Sequence, residues 1–89
     1  MTKNAIIKPW YLYLIECQDG TIYTGITVDV AKRYMAHEMG KGAKYTRSHP
    51  PKRLVKVMKY TNRSEASKAE YLFKKLSASE KRAIVETMA

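Results

Sequence analysis

The sequence is poor in the residues and patterns that mark several large classes of protein. It has a single cysteine, Cys17, so a disulfide within the chain is excluded, which indicates either a reducing compartment or one whose redox state does not matter to the fold. Its longest apolar run, residues 10–15, is far shorter than the ~20 residues that a membrane-spanning helix needs. Pro9 interrupts the N-terminus, which has no signal-peptide pattern. We therefore expect a cytoplasmic protein that does not enter a membrane.

Acidic residues are also scarce. The 89 residues hold 17 Lys and Arg against eight Asp and Glu, a formal charge of +9. This length fits one small domain, which we place at residues 10–89 after an N-terminal tail at residues 1–9. Residues 1–40 have as many acids as bases, whereas residues 41–59, here called the basic segment, have seven bases and no acid. These bases are Lys41, Lys44, Arg47, Lys52, Arg53, Lys56 and Lys59.

The basic segment indicates a polyanionic partner. Seven cations without counter-charges repel one another, and a nucleic acid would relieve that repulsion with an affinity that falls steeply with salt. A solvated surface is the simpler alternative, and a membrane surface is disfavoured because residues 49–51 (His-Pro-Pro) interrupt any helical period. The candidate nucleic-acid-binding residues are Lys41, Lys44, Tyr45, Arg47, Lys52 and Arg53.

Two β-rich runs, residues 11–17 and 21–27, flank Gln18-Asp19-Gly20 and predict a hairpin. A two-residue Asp-Gly turn would place Tyr13 and Tyr23 on opposite faces of the sheet. A three-residue loop with Gly20 in the left-handed conformation shifts the pairing by one residue. We prefer this second register because it gives one apolar face. That face has Leu12, Leu14, Ile22 and Ile26, and the other has Tyr11, Tyr13, Tyr23 and Gly25.

The next predicted element is a helix that Asp29 caps, running to about Met39 and ending at Gly40. Its expected core-facing stripe is Ala31, Met35 and Met39, flanked by Val30 and Tyr34. Arg33 and His37, four residues apart, are expected together on the other side.

The rest of the chain predicts a loop, a strand and two helices. Residues 40–47 form a Gly- and Lys-rich loop, and residues 54–60 form the third strand. Capping boxes at Asn62-Arg-Ser-Glu65 and Ser77-Ala-Ser-Glu80 begin a helix to about Leu76 and a last helix. The order β-β-α-β-α-α predicts an α+β fold, a small sheet with helices packed against it.

The sequence lacks the motifs of several kinds of chemistry. It has neither a Walker phosphate loop nor a dinucleotide fingerprint, and its two histidines and one cysteine are too far apart for a zinc site. It also lacks a nucleophile-elbow serine. We therefore expect no haem or nucleotide cofactor.

Five remaining residues could form a reactive site: Tyr13, Tyr23, Arg33, His37 and Glu70. Each of them also has a purely structural explanation. The tyrosines could be strand residues with packed rings and solvated hydroxyls, Arg33 and His37 could lie on a solvated helix face, and Glu70 could be a surface acid of a helix. Their order and spacing are more specific. Tyr11-Leu-Tyr13, Tyr23-Thr-Gly25, then Arg33, His37 and Glu70 resemble the GIY-YIG nuclease superfamily from about Trp10 to Leu76.

The resemblance extends to the small stand-alone bacterial branch, which is related to the nuclease domain of the excision-repair incision enzyme. Residues 40–47 (Gly-Lys-Gly-Ala-Lys-Tyr-Thr-Arg), a following proline and Leu54-Val55 are similar to that branch. The family fold, a three-stranded antiparallel sheet flanked by helices, agrees with the elements predicted above. The resemblance implies a Mg²⁺- or Mn²⁺-dependent endonuclease acting on nucleic acid, DNA being favoured and RNA not excluded, with a possible role in repair or recombination.

The resemblance also implies a role for each residue. Glu70 would hold the metal, and Arg33 would stabilise charge on the phosphate. Tyr23 would be the general base and Tyr13 would position the water or the phosphate. His37 would orient a phosphate oxygen or relay a proton.

Two departures from the family pattern bear on activity. The first triplet lacks its glycine, which concerns backbone packing, and Thr27-Val28 stand where some relatives place a tyrosine-activating lysine. Lys41 or Lys44 would then serve instead, or activation would be weaker. With no second domain to select a target, sequence preference should be weak, and Tyr45 and Trp10 could stack on unpaired bases. A non-catalytic nucleic-acid binder and a protein-interaction module are the competing interpretations.

Overall fold

The computed structural model describes residues 8–87; the predicted tail therefore lies largely outside the described residues. The strands are β1 (Trp10–Cys17), β2 (Ile22–Thr27) and β3 (Pro51–Tyr60). The helices are α1 (Val30–Glu38), α2 (Lys44–Ser48), α3 (Arg63–Lys74) and α4 (Ala78–Thr87). The α+β order predicted from the sequence is confirmed. One turn of helix, α2, lies within the stretch predicted to be a loop, and β3 begins three residues earlier than predicted.

The three strands form one antiparallel sheet in the order β2-β1-β3. Tyr13 pairs with Gly25 and Leu12 with Ile26, which confirms the predicted hairpin register. Gly20, with φ of 86°, takes the left-handed position of the three-residue loop, where a side chain would be strained. The hairpin therefore places Tyr13, Tyr23 and Gly25 on one face.

The two faces of the sheet bury different residues. On one, here called the apolar face, Leu12, Leu14 and Ile22 pack against side chains that include Phe73 of α3 and Val85 of α4. On the other, here called the tyrosine face, three buried residues of β1 pack under α1, and they are Tyr13, Ile15 and Cys17. Both faces of β1 are thus covered. Within residues 8–87 no helix is long and apolar enough to cross a bilayer.

Helix α1 presents a different side to the sheet from the one predicted. The predicted apolar stripe is wrong: Met35 is 58% exposed, Met39 is 62% exposed and Ala31 is exposed too. His37 is the buried residue of α1. The reason is that the sheet face under α1 carries a phenol, which an imidazole can hydrogen-bond and a methionine cannot satisfy.

The helix ends follow their predicted signals. The Asp29 carboxylate accepts a hydrogen bond from Lys32 N at 3.1 Å, and Asn62 accepts one from Glu65 N at 3.0 Å. Ser77 and Glu80 form both bonds of a capping box, at 2.8 and 3.1 Å. Such caps satisfy backbone donors that the first turn of a helix leaves unpaired.

Candidate active site

Tyr13 is the centre of the tyrosine face. It lies on the middle strand, is 1% exposed, and its hydroxyl is 2.9 Å from His37 Nε2. Gly25 is opposite Tyr13 on β2, and a Cβ at that position would lie 2.5 Å from the Tyr13 oxygen. The phenol therefore occupies space that only a glycine leaves open.

His37 links Tyr13 to the basic segment. It is 1% exposed, and its Nδ1 lies 2.6 Å from Thr46 Oγ1, while the Thr46 hydroxyl donates to the Ala43 carbonyl at 3.0 Å. The backbone of Gly42 passes so close to the imidazole that a Cβ would overlap it. Both ring nitrogens are thus engaged inside the protein. The histidine can therefore exchange a proton with Tyr13, but its buried ring does not present a free nitrogen to solvent.

The buried setting shifts the ionisation of both rings. Burial raises the pKa of Tyr13 to about 12, helped by Tyr23 and opposed by a hydrogen bond and positive charge from Arg33. Burial lowers the pKa of His37, and the charge of Arg33 lowers it further. At neutral pH the phenol is therefore protonated and the imidazole neutral.

A row of aromatic rings leads from this pair to the surface. Tyr23 lies with its ring centroid 5.1 Å from that of His37 and 5.7 Å from that of Tyr45. Tyr45 stacks on His49 at 4.2 Å, and His49 Nδ1 donates to the Asp19 carboxylate at 2.5 Å. This link ties the end of α2 to the hairpin turn. Tyr23 and Tyr45 are partly exposed, so the row is open to a ligand at its outer end.

Glu70 lies on α3, which packs on the apolar face rather than on the tyrosine face. Its half-buried carboxylate is 3.3 Å from the ammonium group of Lys74. No group of three or more potential metal ligands occurs within residues 8–87. A single carboxylate suits Mg²⁺ or Mn²⁺, which keep most of their ligands as water or phosphate oxygens, and an exposed lysine can move aside. The donor set fits a hard cation and not a closed protein cage.

The candidate nucleic-acid-binding residues divide into two groups. Lys41, Lys44 and Arg47 are exposed on and before α2, beside the aromatic row. Arg53, by contrast, pairs through Nε with Glu16 at 2.6 Å, and Glu16 also lies 3.8 Å from Arg82. Lys52 is exposed at the start of β3. The charges near α2 are therefore the ones placed beside the tyrosines.

Sequence reasoning missed several parts of this arrangement. Gly42 and Thr46 lie within residues 40–47, whose resemblance to the bacterial branch marks the stretch but not the contacts of these two residues, and the link between Asp19 and His49 has no motif. Tyr45, considered for base stacking, is the residue of the basic segment whose ring meets Tyr23. The Trp10 ring is covered by the Arg63 guanidinium at 5.5 Å.

Comparison with known proteins identifies the class. Residues 9–83 match the family model described as the GIY-YIG catalytic domain. The chain therefore belongs to the GIY-YIG family, and membership implies a nuclease-type function.

Its similar relatives carry the name UPF0213. A UPF0213 protein of Cupriavidus pinatubonensis is 51% identical over 77 residues, which are 86% of each chain. The solution NMR structure of a UPF0213 protein from Bacillus halodurans has a TM-score of 0.56 and 44% identity, covering 89% of this chain and 84% of that one. An NMR structure of a protein from E. faecalis has a TM-score of 0.63 and 38% identity, covering 98% and 91%.

Proposed function

We propose that this protein is a divalent-metal-dependent endonuclease that hydrolyses phosphodiester bonds in nucleic acid, with DNA favoured and low sequence specificity. The observation that carries the proposal is the buried hydrogen bond between Tyr13 and His37, beside Arg33 and the exposed cations of the basic segment. A role in DNA repair or recombination in the cytoplasm would suit such a nuclease.

The proposal assigns the proton transfer to three rings. Tyr23 is partly exposed and its ring centroid lies 6.2 Å from that of Tyr13, so it is the tyrosine that an attacking water can reach. Its proton would pass to Tyr13, and the proton of Tyr13 to His37 Nε2 at 2.9 Å. Because the pKa of His37 lies below its ordinary value, the imidazole is free to accept at neutral pH. This arrangement supplies a base without an activating lysine after the second triplet.

Arg33 and Glu70 have the remaining roles. Arg33 would bind the phosphate and stabilise the charge that grows on its oxygens, since a guanidinium can donate two parallel hydrogen bonds. Glu70 would hold Mg²⁺ or Mn²⁺, which when bound stabilises charge on the leaving oxygen. The two groups belong to opposite faces of the sheet, but β2 is an edge strand that α3 also contacts. We therefore place the scissile phosphate at this edge, between the two faces.

Binding would rest on the phosphate backbone. Lys41, Lys44 and Arg47 lie exposed around α2, next to Tyr45. Cations at such positions contact phosphates of any sequence, and a partly exposed aromatic ring can stack on an unpaired base. Nicked, flapped or single-stranded DNA is therefore the substrate class that we favour.

A non-catalytic nucleic-acid binder is the second candidate. Two observations favour it: the pKa of Tyr13 is raised to about 12, and the carboxylate of Glu70 is already paired with Lys74. A site of this kind could hold the fold together without reacting.

The test is metal-dependent cleavage of a labelled panel of duplex, nicked, flapped and single-stranded DNA, together with RNA. Wild type, Glu70→Gln and Glu65→Gln are assayed with Mg²⁺, with Mn²⁺ and with chelator. Glu65 is a matched control because it lies on the same helix, paired with Lys68 at 3.5 Å. We expect cleavage by wild type and Glu65→Gln, at least ~100-fold slower cleavage by Glu70→Gln, and unchanged DNA binding by all three.

Two results would overturn parts of this proposal. Cleavage by Glu70→Gln at the wild-type rate would remove the metal role from this carboxylate. Salt-sensitive binding without cleavage of any substrate would favour the binder instead.

A further inference from the structure

We infer that Thr46 is a positioning residue that sets which nitrogen of His37 carries the proton, so that Nε2 accepts the proton of Tyr13. The inference deepens the proposed function and rests on it for its meaning in the reaction. The arrangement of protons itself follows from three contacts, at 2.9, 2.6 and 3.0 Å.

The Ala43 carbonyl oxygen can only accept a hydrogen bond. Thr46 has one hydroxyl proton, and it donates this proton to the Ala43 oxygen at 3.0 Å. Its contact with His37 Nδ1 at 2.6 Å must then be one in which the imidazole N–H donates. A neutral imidazole that is protonated at Nδ1 has a free lone pair at Nε2.

The opposite assignment leaves a contact unsatisfied. If Thr46 donated to Nδ1 instead, the Ala43 oxygen would face a hydroxyl lone pair at 3.0 Å. The proton of His37 would then lie on Nε2, and Tyr13 would have to accept it. Thr46 is 2% exposed, so water does not readily replace a missing partner. Donation from Thr46 to the Ala43 carbonyl is therefore the assignment in which both contacts of the Thr46 hydroxyl are hydrogen bonds.

With the direction fixed, the tyrosine pair forms an ordered path for a proton. Because Tyr13 donates to His37 Nε2, we assign its oxygen as the acceptor towards its two other neighbours, Arg33 and Tyr23, the latter with its ring centroid 6.2 Å away. Tyr23, Arg33 and Thr46 are the polar and charged neighbours that the described contacts give to the pair of Tyr13 and His37. The path runs from the partly exposed Tyr23 inward to His37.

Along this path every proton of the hydrolysis step has a donor and an acceptor. As the water oxygen bonds to phosphorus and the bond to the leaving oxygen breaks, the water proton moves to Tyr23, that of Tyr23 to Tyr13, and that of Tyr13 to Nε2. The imidazolium formed keeps its Nδ1–H bond to Thr46, so the same contact serves both charge states. Solvent protonates the leaving oxygen, and the proton on His37 later returns to solvent by the same path, through Tyr13 and the partly exposed Tyr23.

The experiment compares Thr46→Val, which removes the hydroxyl, with Thr46→Ser, which keeps it. Thr24→Val is the matched control, because the Thr24 hydroxyl is equally buried, at 2% exposure, and has no hydrogen-bond partner. The direct readout is the tautomer of His37, measured by proton–nitrogen NMR on protein labelled with nitrogen-15 histidine. The chain has two histidines, so a His49→Gln variant assigns the spectrum. Cleavage kinetics form the second readout.

We expect wild type, Thr46→Ser and Thr24→Val to have the proton of His37 on Nδ1. Thr46→Val should show a mixture of tautomers and a kcat about 10–100-fold lower with little change in KM, because the hydroxyl acts through another residue. Protonation of wild-type His37 at Nε2 would overturn the inference, and so would a Thr46→Val variant with the wild-type tautomer and kcat. If wild type cleaves nothing, the proposed function fails, and the tautomers alone decide the role of Thr46.

Discussion

The two faces of one strand, β1, are built on different physical principles. Leu12 and Leu14 point to the apolar face, where apolar side chains of α3 and α4 pack against them. Tyr13 and Ile15 point to the tyrosine face, where α1 contributes the imidazole of His37. The first face is held by burial, which has no preferred direction, and the second by a chain of directed hydrogen bonds.

This difference predicts how each face responds to change. An apolar core tolerates side chains of similar volume and loses stability in proportion to the cavity that a truncation leaves. A buried polar network depends on each donor and acceptor, since one missing partner leaves the next group unsatisfied. Substitutions on the apolar face should therefore change mainly stability, and those on the tyrosine face should change chemistry at a smaller cost in stability.

The largest effect on stability is expected from Leu14→Ala. Leu14 is 0% exposed at the centre of the apolar face, and its truncation leaves a cavity that should cost ~2–5 kcal/mol of the free energy of unfolding. Urea denaturation measures the loss. Cleavage per folded molecule should stay at the wild-type level, and a loss of activity in the folded fraction would show that the two faces are not independent.

Gly25→Ala tests the tyrosine face by overfilling it. The new Cβ would lie 2.5 Å from the Tyr13 oxygen, so the ring must move, at a cost of about 1–3 kcal/mol. Because the hydroxyl is also 2.9 Å from His37, the movement should break that bond and lower kcat by at least ~10-fold.

Gly40→Ala is the control for this substitution. Gly40 has φ of 74° and no atom within 4 Å of an added Cβ, so it carries backbone strain without a clash. We expect a comparable loss of stability and a wild-type kcat. Equal losses of kcat in the two variants would mean that the Gly25 effect is one of stability alone.

The sequence predicts the apolar face well and the tyrosine face poorly. The hairpin register follows from local signals, namely a three-residue loop with Gly20 in the left-handed conformation and the alternation of residues that gives one apolar face. The orientation of α1 does not, because the usual assumption that methionines face the core fails where the opposing sheet face is polar. Met35 is exposed while His37 is buried against a partner 24 residues away.

Short polar contacts were beyond prediction for a related reason. Helix α2 has five residues, too few to show a hydrophobic period, and Thr46 looks like any other threonine in a basic loop. The resemblance to a family selects Tyr13, Tyr23, Arg33 and His37 as a set, but their hydrogen bonds depend on tertiary structure. Gly25 offers the one usable signal, because a glycine inside a strand indicates a close approach.

Lowering the pH should reduce the free energy of unfolding through His37, which belongs to the tyrosine face. Its pKa in the folded protein is lowered from 6.5 by burial and by Arg33, so the unfolded chain binds a proton more readily. The associated stability is therefore fully present above pH 6.5 and declines as the pH falls towards the lowered pKa. Urea midpoints from pH 8 to 5 should fall for wild type and vary less for His37→Gln, whereas equal slopes would place the titrating group elsewhere.

The smallest effect is expected where the tyrosine face reaches the surface. His49 and Thr21 lower the pKa of the exposed Asp19 from 3.8 to about 2, so this carboxylate stabilises the fold above about pH 4 and ceases to do so as the pH falls towards 2. Solvent screens such a pair, and Asp19→Asn should shift the unfolding midpoint at neutral pH less than any substitution above. The difference in unfolding midpoint between Asp19→Asn and wild type should shrink below pH 4. This change lies at lower pH than the change in midpoint that is due to His37. A large loss at pH 7 would instead mean that the link from the hairpin turn to α2 holds Thr46 against His37, and that the outer end of the tyrosine face controls its buried end.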